Sequence, residues 1–236
     1  ARRVHCVFVF DTEILDALPD RVDRRVEFIW HGVAGLRSAL AGMGGGLHVL
    51  HGRARDLVPE LAGRLGAGAV YANRDYEPQA IDRDAEVRRR LAAQGRRLHD
   101  FKDQVIFEKD DILTKDGRPY TVFTPYKRAW LAQLASLQVR AYTVQRYRQA
   151  LAPGTTDRLP ALEQLGFRPT NLMNMALPLG MSGAQRLFRD FLDRIDGYRE
   201  RTRRSLSARR RIAAGVETLG LRVHGDPKLT LLAFGA

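Results

Sequence analysis

The chain has 236 residues, 44% hydrophobic and 28% charged, enough to bury one substantial core or a core with an appendage. Lys and Arg number 39 against 27 Asp and Glu, a formal net charge of +12 that favours a polyanionic partner without specifying one. No apolar run is long enough to cross a bilayer, the opening "ARRVHCVFVFDTEILD" lacks a signal-peptide pattern, and the single cysteine, Cys6, excludes an internal disulfide, so a cytoplasmic protein with no membrane role is expected.

"VHCVFVF" (4–10) reads as a buried strand in which the Cys6 thiol is inert. The spacing of Val26, Ile29, Trp30, Val33, Leu36 and Leu40 predicts a helix over 23–43 with one apolar face, ended by the glycines at 44–46. "LHVLHG" (47–52) is a second strand, and Leu57, Val58, Leu61 and Leu65 mark a second helix closed by "GAG" (66–68). "AVYANR" (69–74) is a third strand, 79–95 a third helix, and 96–107 contains a fourth strand. This alternation predicts an α/β fold, a doubly wound, mostly parallel Rossmann-like sheet with helices on both faces. Both glycine clusters precede strands and therefore end helices instead of cradling phosphate; the dinucleotide fingerprint and the Walker sequence are absent.

"TVFTPYKRAW" (121–130) predicts a helix with Thr124 as N-cap and Pro125 at the first helical position. Residues 136–181 carry Pro153, Pro160, Pro169 and Pro178 with little periodicity, an extended connection between domains. A further helix over 182–201 places Leu187, Phe188, Phe191, Leu192 and Ile195 on one side. It runs into "RERTRRSLSARRR" (199–211), with seven arginines against one glutamate, and 221–236 reads as two short strands around "GDPK". The histidines, His5, His31, His48, His51, His99 and His224, are scattered, and no Cys/His/Asp cluster has metal-ligand spacing.

"VFVFDTEIL" (7–15), "VYANRDYEPQAIDRD" (70–84), "FKDQVIFEKDDILTKDGRPYTVFTPYKRAWL" (101–131) and "AQRLFRDFLDRIDGYRER" (184–201) resemble successive segments of the DNA photolyase/cryptochrome family of flavoproteins, in order and spacing. The resemblance spans about residues 1–201. It implies an N-terminal α/β domain that holds a light-harvesting antenna chromophore, and a helical FAD domain that flips pyrimidine dimers out of damaged DNA for light-driven repair. On this reading 1–135 is the α/β domain, 136–181 the interdomain linker, and 182–236 the helical start of the FAD domain running into an unrelated basic tail. The family's first, central strand and its flavin cradle are both expected to be absent, so the chain alone is expected to be incapable of repair. Residues 205–236 weakly resemble a small-domain piece of pyridoxal-phosphate-dependent decarboxylases and lyases.

The resemblance places the antenna site at the strand ends, with Phe10, Asp11, Thr12 and Glu13 after the first strand and Asn73, Arg74, Asp75 and Glu77 after the third. The competing structural reading is that Asp11 and Asp75 cap helices or turns. Gln79 and Ala80 stand where folate-binding members carry an Asn-Glu pair, which favours a flavin or deazaflavin antenna over folate. Tyr198 matches a tyrosine that touches FAD in the family, although FAD itself is not expected to bind here. Lys127, Arg128, Arg203 and Arg204 are candidate phosphate contacts, whereas Phe123, Tyr126 and Trp130 are expected to be packing residues. The expected protein is a monomer without metal. The alternatives are a non-catalytic nucleotide-binding or interaction module, a cryptochrome-like photoreceptor fragment, and a basic DNA-binding fragment acting through the arginine block.

Overall fold

The computed structural model describes residues 3–137, 144–153, 158–218, 222–224 and 233–235. The chain divides into two compact units, 1–170 and 171–236.

In the first unit, β1 (Cys6–Asp11) runs into the short helix α1 (Thr12–Leu15), followed by α2 (Arg24–Gly42), β2 (Leu47–Gly52), α3 (Ala54–Arg64), β3 (Ala69–Asn73), α4 (Pro78–Ala93), β4 (Arg97–Phe101) and α5 (Phe123–Ser136). The strands and helices alternate as the apolar runs predict. Gly44 and Gly66, with φ of 80° and 59°, turn the chain out of α2 and α3 where a side chain would be strained.

The four strands group as two parallel pairs, β1 with β2 and β3 with β4. Each pair has its own apolar cluster. Phe10, Leu47 and Val49 pack with Val26, Val33 and Leu40 of α2, and Cys6 and Phe8 lie against the same cluster. Ala62 of α3 packs with Val87 and Leu91 of α4, with Val70 and Leu98 from β3 and β4 beside them. α3 touches β1 and β2 as well as α4, so it spans both halves.

Asp23 starts α2 by accepting a hydrogen bond from the Arg25 amide at 2.8 Å, and the Arg25 guanidinium beside it holds the Asp23 carboxyl below the usual carboxylate range. The apolar stripe of α2 is narrower than its sequence predicts. Val26, Val33 and Leu40 recur every seventh residue and are buried, whereas Ile29 and Leu36 fall on the flank of that stripe and are each 47% exposed.

The segment 158–170 docks onto α2 without regular structure beyond one 3₁₀ turn, Leu162–Leu165. Leu162, Leu165 and Phe167 enter the first cluster, the Trp30 indole donates to the Pro160 carbonyl at 2.7 Å, and Arg21 lies over the Phe167 ring. Glu27, buried in α2, accepts hydrogen bonds from the Thr170 amide at 2.9 Å and from the Thr170 hydroxyl. Its burial is tolerated because the carboxylate is hydrogen-bonded.

α5 corrects the expected helix start. Its N-cap is Val122, which offers no side-chain cap, so Thr124 and Pro125 lie inside the first turn. The first amides of a helix have no intrahelical acceptor, so proline at the third position forfeits no helical hydrogen bond. Trp130 meets Phe107 edge-on and Tyr126 meets Tyr120, but Phe123 is 72% exposed and is not a packing residue in this unit.

In the second unit, α6 (Gly180–Thr218) extends well past the predicted helix, and β5 (Arg222–His224) pairs antiparallel with β6 (Ala233–Gly235). The expected turn at 225–228 lies outside the described residues. The apolar side of α6 at Leu187, Phe188, Phe191 and Leu192 is exposed.

Phe167 is 1% exposed. Phe167→Ala is expected to cost about 3–5 kcal/mol by the lost burial and the cavity left behind, read as a lower midpoint in urea unfolding. A loss under about 1 kcal/mol, typical of a surface position, would show that 158–170 is not part of the core.

Candidate functional site

Two depressions lie at the carboxyl ends of β1 and β3, and Asp75 lines both. The smaller, a cleft of about 170 Å³, is lined by Asp11, Glu13 and Ile14 after β1 and by Asp75, Glu77, Gln79, Ala80 and Arg83 around the start of α4. The larger, about 410 Å³, holds Arg74, Tyr76, Arg88, Asp100 and Glu108 among its lining.

The cleft is built by local turn chemistry. Asp11 caps α1 by accepting from the Glu13 amide at 3.1 Å, and Asp75 accepts from the Glu77 amide at 3.2 Å. Asp11 thus caps a helix and Asp75 closes the turn that leads into α4, and the same bonds fix their carboxylates at the cleft wall. Glu13 is held by Arg55 of α3 at 2.6 Å and approached by Arg53 at 3.5 Å, while the Gln79 amide donates to the Glu13 main-chain oxygen at 3.1 Å. Arg83 is engaged by its neighbour Asp84 at 2.8 Å. With Arg55, Arg53 and Arg83 committed in this way, the cleft presents an acidic wall.

In the larger depression the Glu108 carboxylate receives Arg74 at 2.7 Å and the Tyr76 hydroxyl at 2.5 Å. Donation by Tyr76, and then by Arg74, lowers the Glu108 pKa. The same bond pushes the Tyr76 phenol up to about 12. Arg88 and Arg74 also reach Asp100, at 2.7 and 3.5 Å.

The candidate residues thus separate. Asp11, Glu13, Asp75 and Glu77 come together in the cleft. Arg74 turns into the neighbouring depression, Phe10 is buried in the α2 cluster, and Thr12 and Asn73 line neither space. Tyr198 sits on α6 in the second unit against Phe191 and under Arg201. Lys127 and Arg128 of α5 and Arg203 and Arg204 of α6 are exposed, and Arg204 pairs with Glu200 at 3.0 Å. Sequence reasoning missed Arg55, Tyr76 and Glu108, because each acts through a partner more than thirty positions away in the chain. Among the described residues no cluster of His, Cys, Asp or Glu could hold a metal ion. Among the described residues no helix is long and apolar enough to cross a membrane.

The alternation of parallel strands and helices places the first unit in the α/β class, in which open sheets bind ligands outside the carboxyl ends of their strands. The family model for DNA photolyase matches residues 1–145, and the chain belongs to that family. It is 34% identical over 166 residues to a deoxyribodipyrimidine photo-lyase of Synechococcus, covering 68% of this chain and 34% of that protein. It is also 34% identical over 203 residues to the photo-lyase of Halobacterium salinarum, covering 85% of this chain and 41% of that protein. The chain thus spans between a third and a half of these relatives' length. Among solved structures, a class III photolyase from Agrobacterium tumefaciens superposes with a TM-score of 0.63 at 23% identity, over 82% of this chain and 39% of that one. A Synechocystis cryptochrome does so with 0.65 at 18%, over 84% and 43%. Both show the shared fold.

Tyr76→Phe removes the leading cause of the low Glu108 pKa, so the Glu108 carboxyl is expected to titrate closer to its ordinary range in a carbon-detected NMR titration. A group depressed in the folded state contributes stability above its unfolded pKa and loses it as pH falls through the folded value. The variant should accordingly show a weaker acid dependence of stability below about pH 4.5, near the ordinary pKa of a glutamate. An unchanged Glu108 titration would mean that Arg74 alone holds the carboxylate.

Proposed function

We propose that the first unit is the chromophore-binding part of a photolyase-like DNA repair flavoprotein, and that the cleft between the ends of β1 and β3 receives the edge of an aromatic antenna chromophore. The observation that carries this reading is the convergence of Asp11 and Glu13, at the end of β1, with Asp75 and Glu77, beyond the end of β3, on one cleft. Carboxylates fixed at a cleft wall accept hydrogen bonds from ring N–H and hydroxyl groups and repel phosphate. That chemistry suits a flavin or deazaflavin ring entering edge-first with any phosphate left outside, and it argues against a nucleotide bound through its phosphates. Gln79, already donating to the Glu13 backbone, and buried Ala80 offer no carboxylate at the positions where the folate-binding pattern has an Asn-Glu pair.

At about 170 Å³ the cleft is smaller than the roughly 300–1,000 Å³ of pockets that engulf a drug-sized ligand. It accommodates part of a tricyclic ring, and the adjoining depression across Asp75 offers room for the remainder. The group supplies absorption of light when bound; Asp11, Asp75 and Glu77 orient it, and Arg55 and Gln79 hold Glu13 in place. Repair of pyrimidine dimers in DNA is proposed for the full-length protein, with Lys127, Arg128, Arg203 and Arg204 as exposed cations available to phosphate and Tyr198 as a contact of FAD.

The test is titration of the purified chain with riboflavin, a 5-deazaflavin and a reduced folate, followed by absorbance and fluorescence. Saturable binding of a flavin or deazaflavin is expected, with folate weaker. Asp75→Asn and Glu77→Gln are each expected to weaken binding about tenfold, close to 1.4 kcal/mol, with unchanged thermal stability. Absence of saturable binding by every probe, or binding indifferent to both substitutions, overturns the assignment of the cleft.

A further inference from the structure

The charge of α6 changes along its length. Asp190, Asp193, Asp196 and Glu200 stand among the arginines of its first half, whereas residues 201–211 hold six arginines and no carboxylate. Residues three and four positions apart in a helix are neighbours on one face. Around Ser207 all four such positions, 203, 204, 210 and 211, are arginine. Arg203, Arg204, Arg211 and Ser207 itself are exposed. The other hydroxyls of this stretch lack that surround. Thr202 donates to the Tyr198 carbonyl at 2.9 Å and has a single arginine, Arg199, at those spacings. Ser205 has two, Arg201 and Arg209, and Arg201 is drawn over the Tyr198 ring.

We propose that Ser207 is a phosphorylation site, and that the phosphoryl group on its Oγ is held on the face of α6 by Arg203, Arg204 and Arg211. In the transfer, the Ser207 Oγ attacks the γ-phosphorus of a nucleoside triphosphate carried by a serine kinase. The Oγ–P bond forms and the bond from the γ-phosphorus to the β,γ-bridging oxygen breaks; the nucleoside diphosphate leaves with that electron pair, and the hydroxyl proton passes to a carboxylate of the kinase. Arginine-rich flanks suit a kinase whose substrate groove is acidic. They also loosen the helix that must open to enter such a groove, because like charges three and four positions apart, as in Arg201 with Arg204 and Arg199 with Arg203, weaken a helix. The product reverses that effect. A phosphoserine carries about −1.5 to −2 charges at pH 7 and three acceptor oxygens, so it replaces repulsion on this face with charge-assisted hydrogen bonds. The exposed pair of Arg204 with Glu200 at 3.0 Å is weak enough to yield to it.

The site rests on neither the chromophore nor the DNA reading. The whole chain is incubated with magnesium ATP and a soluble extract of the cells that make it, and its phosphates are mapped by mass spectrometry. Ser207 is expected to be the principal site, with incorporation at least tenfold lower in the Arg203→Gln/Arg204→Gln variant, whose thermal unfolding is expected to be unchanged. The chain is also produced with phosphoserine encoded at 207 and followed by phosphorus NMR. The second pKa of its phosphate, about 6 in the absence of neighbours, is expected to lie at least about half a unit lower in the folded chain than in urea. Arg203→Gln/Arg204→Gln/Arg211→Gln is expected to abolish that difference. Three results overturn the proposal: no phosphate on Ser207, phosphate placed chiefly on Thr202 or Ser205, or a phosphoserine pKa equal in the folded chain and in urea. The first two would show that Ser207 is not the target, and the last that the arginines do not hold the group.

Discussion

The packing of α3 is the interaction on which the first unit depends. No strand-to-strand ladder joins the two pairs among the described residues, yet α3 touches β1, β2 and α4. Its buried Leu61 and Ala62 face that task. Burying a leucine contributes about 1.5–3 kcal/mol, while a partly exposed ion pair such as Arg55 with Glu13 contributes about 0–1 kcal/mol. Apolar burial therefore supplies the cohesion, and the ion pair fixes position. The hydrogen bond from the Gln79 side-chain amide of α4 to the Glu13 main-chain carbonyl adds a second positional tie at the same end.

These ties explain why the cleft forms where it does. The turns after β1 and β3 are each closed by an aspartate accepting from an amide two residues on, an inexpensive local solution that needs no tertiary partner. Placing two such turns side by side brings four carboxylates to one cleft. Arg55 and Arg53 offset the charge of one of them, Glu13. Tyr76 and Arg74 similarly settle Glu108 next door. The wall keeps its hydrogen-bond acceptors while its net charge is reduced from beneath, which is the polarity a neutral ring with N–H donors requires.

The strands and helices of the first unit were legible because each carries its period in its own residues: 47–52 reads as a strand and the structure forms β2 there. The start of α5 was not, because Val122 caps by backbone conformation alone and leaves no side-chain signature. Nor was the docking of 158–170, where Leu162, Leu165 and Phe167 are buried from an irregular segment with no periodicity to find. Of the candidate cleft, Asp11, Glu13, Asp75 and Glu77 were reached through the family resemblance, because their place after the first and third strands is by itself equally that of helix and turn caps. Arg55, Tyr76 and Glu108 were hidden, since a charge on a helix or loop announces no partner until the chain is folded. How strands pair is equally silent in the sequence, because an apolar run specifies that a strand exists but not how many of its edges are occupied.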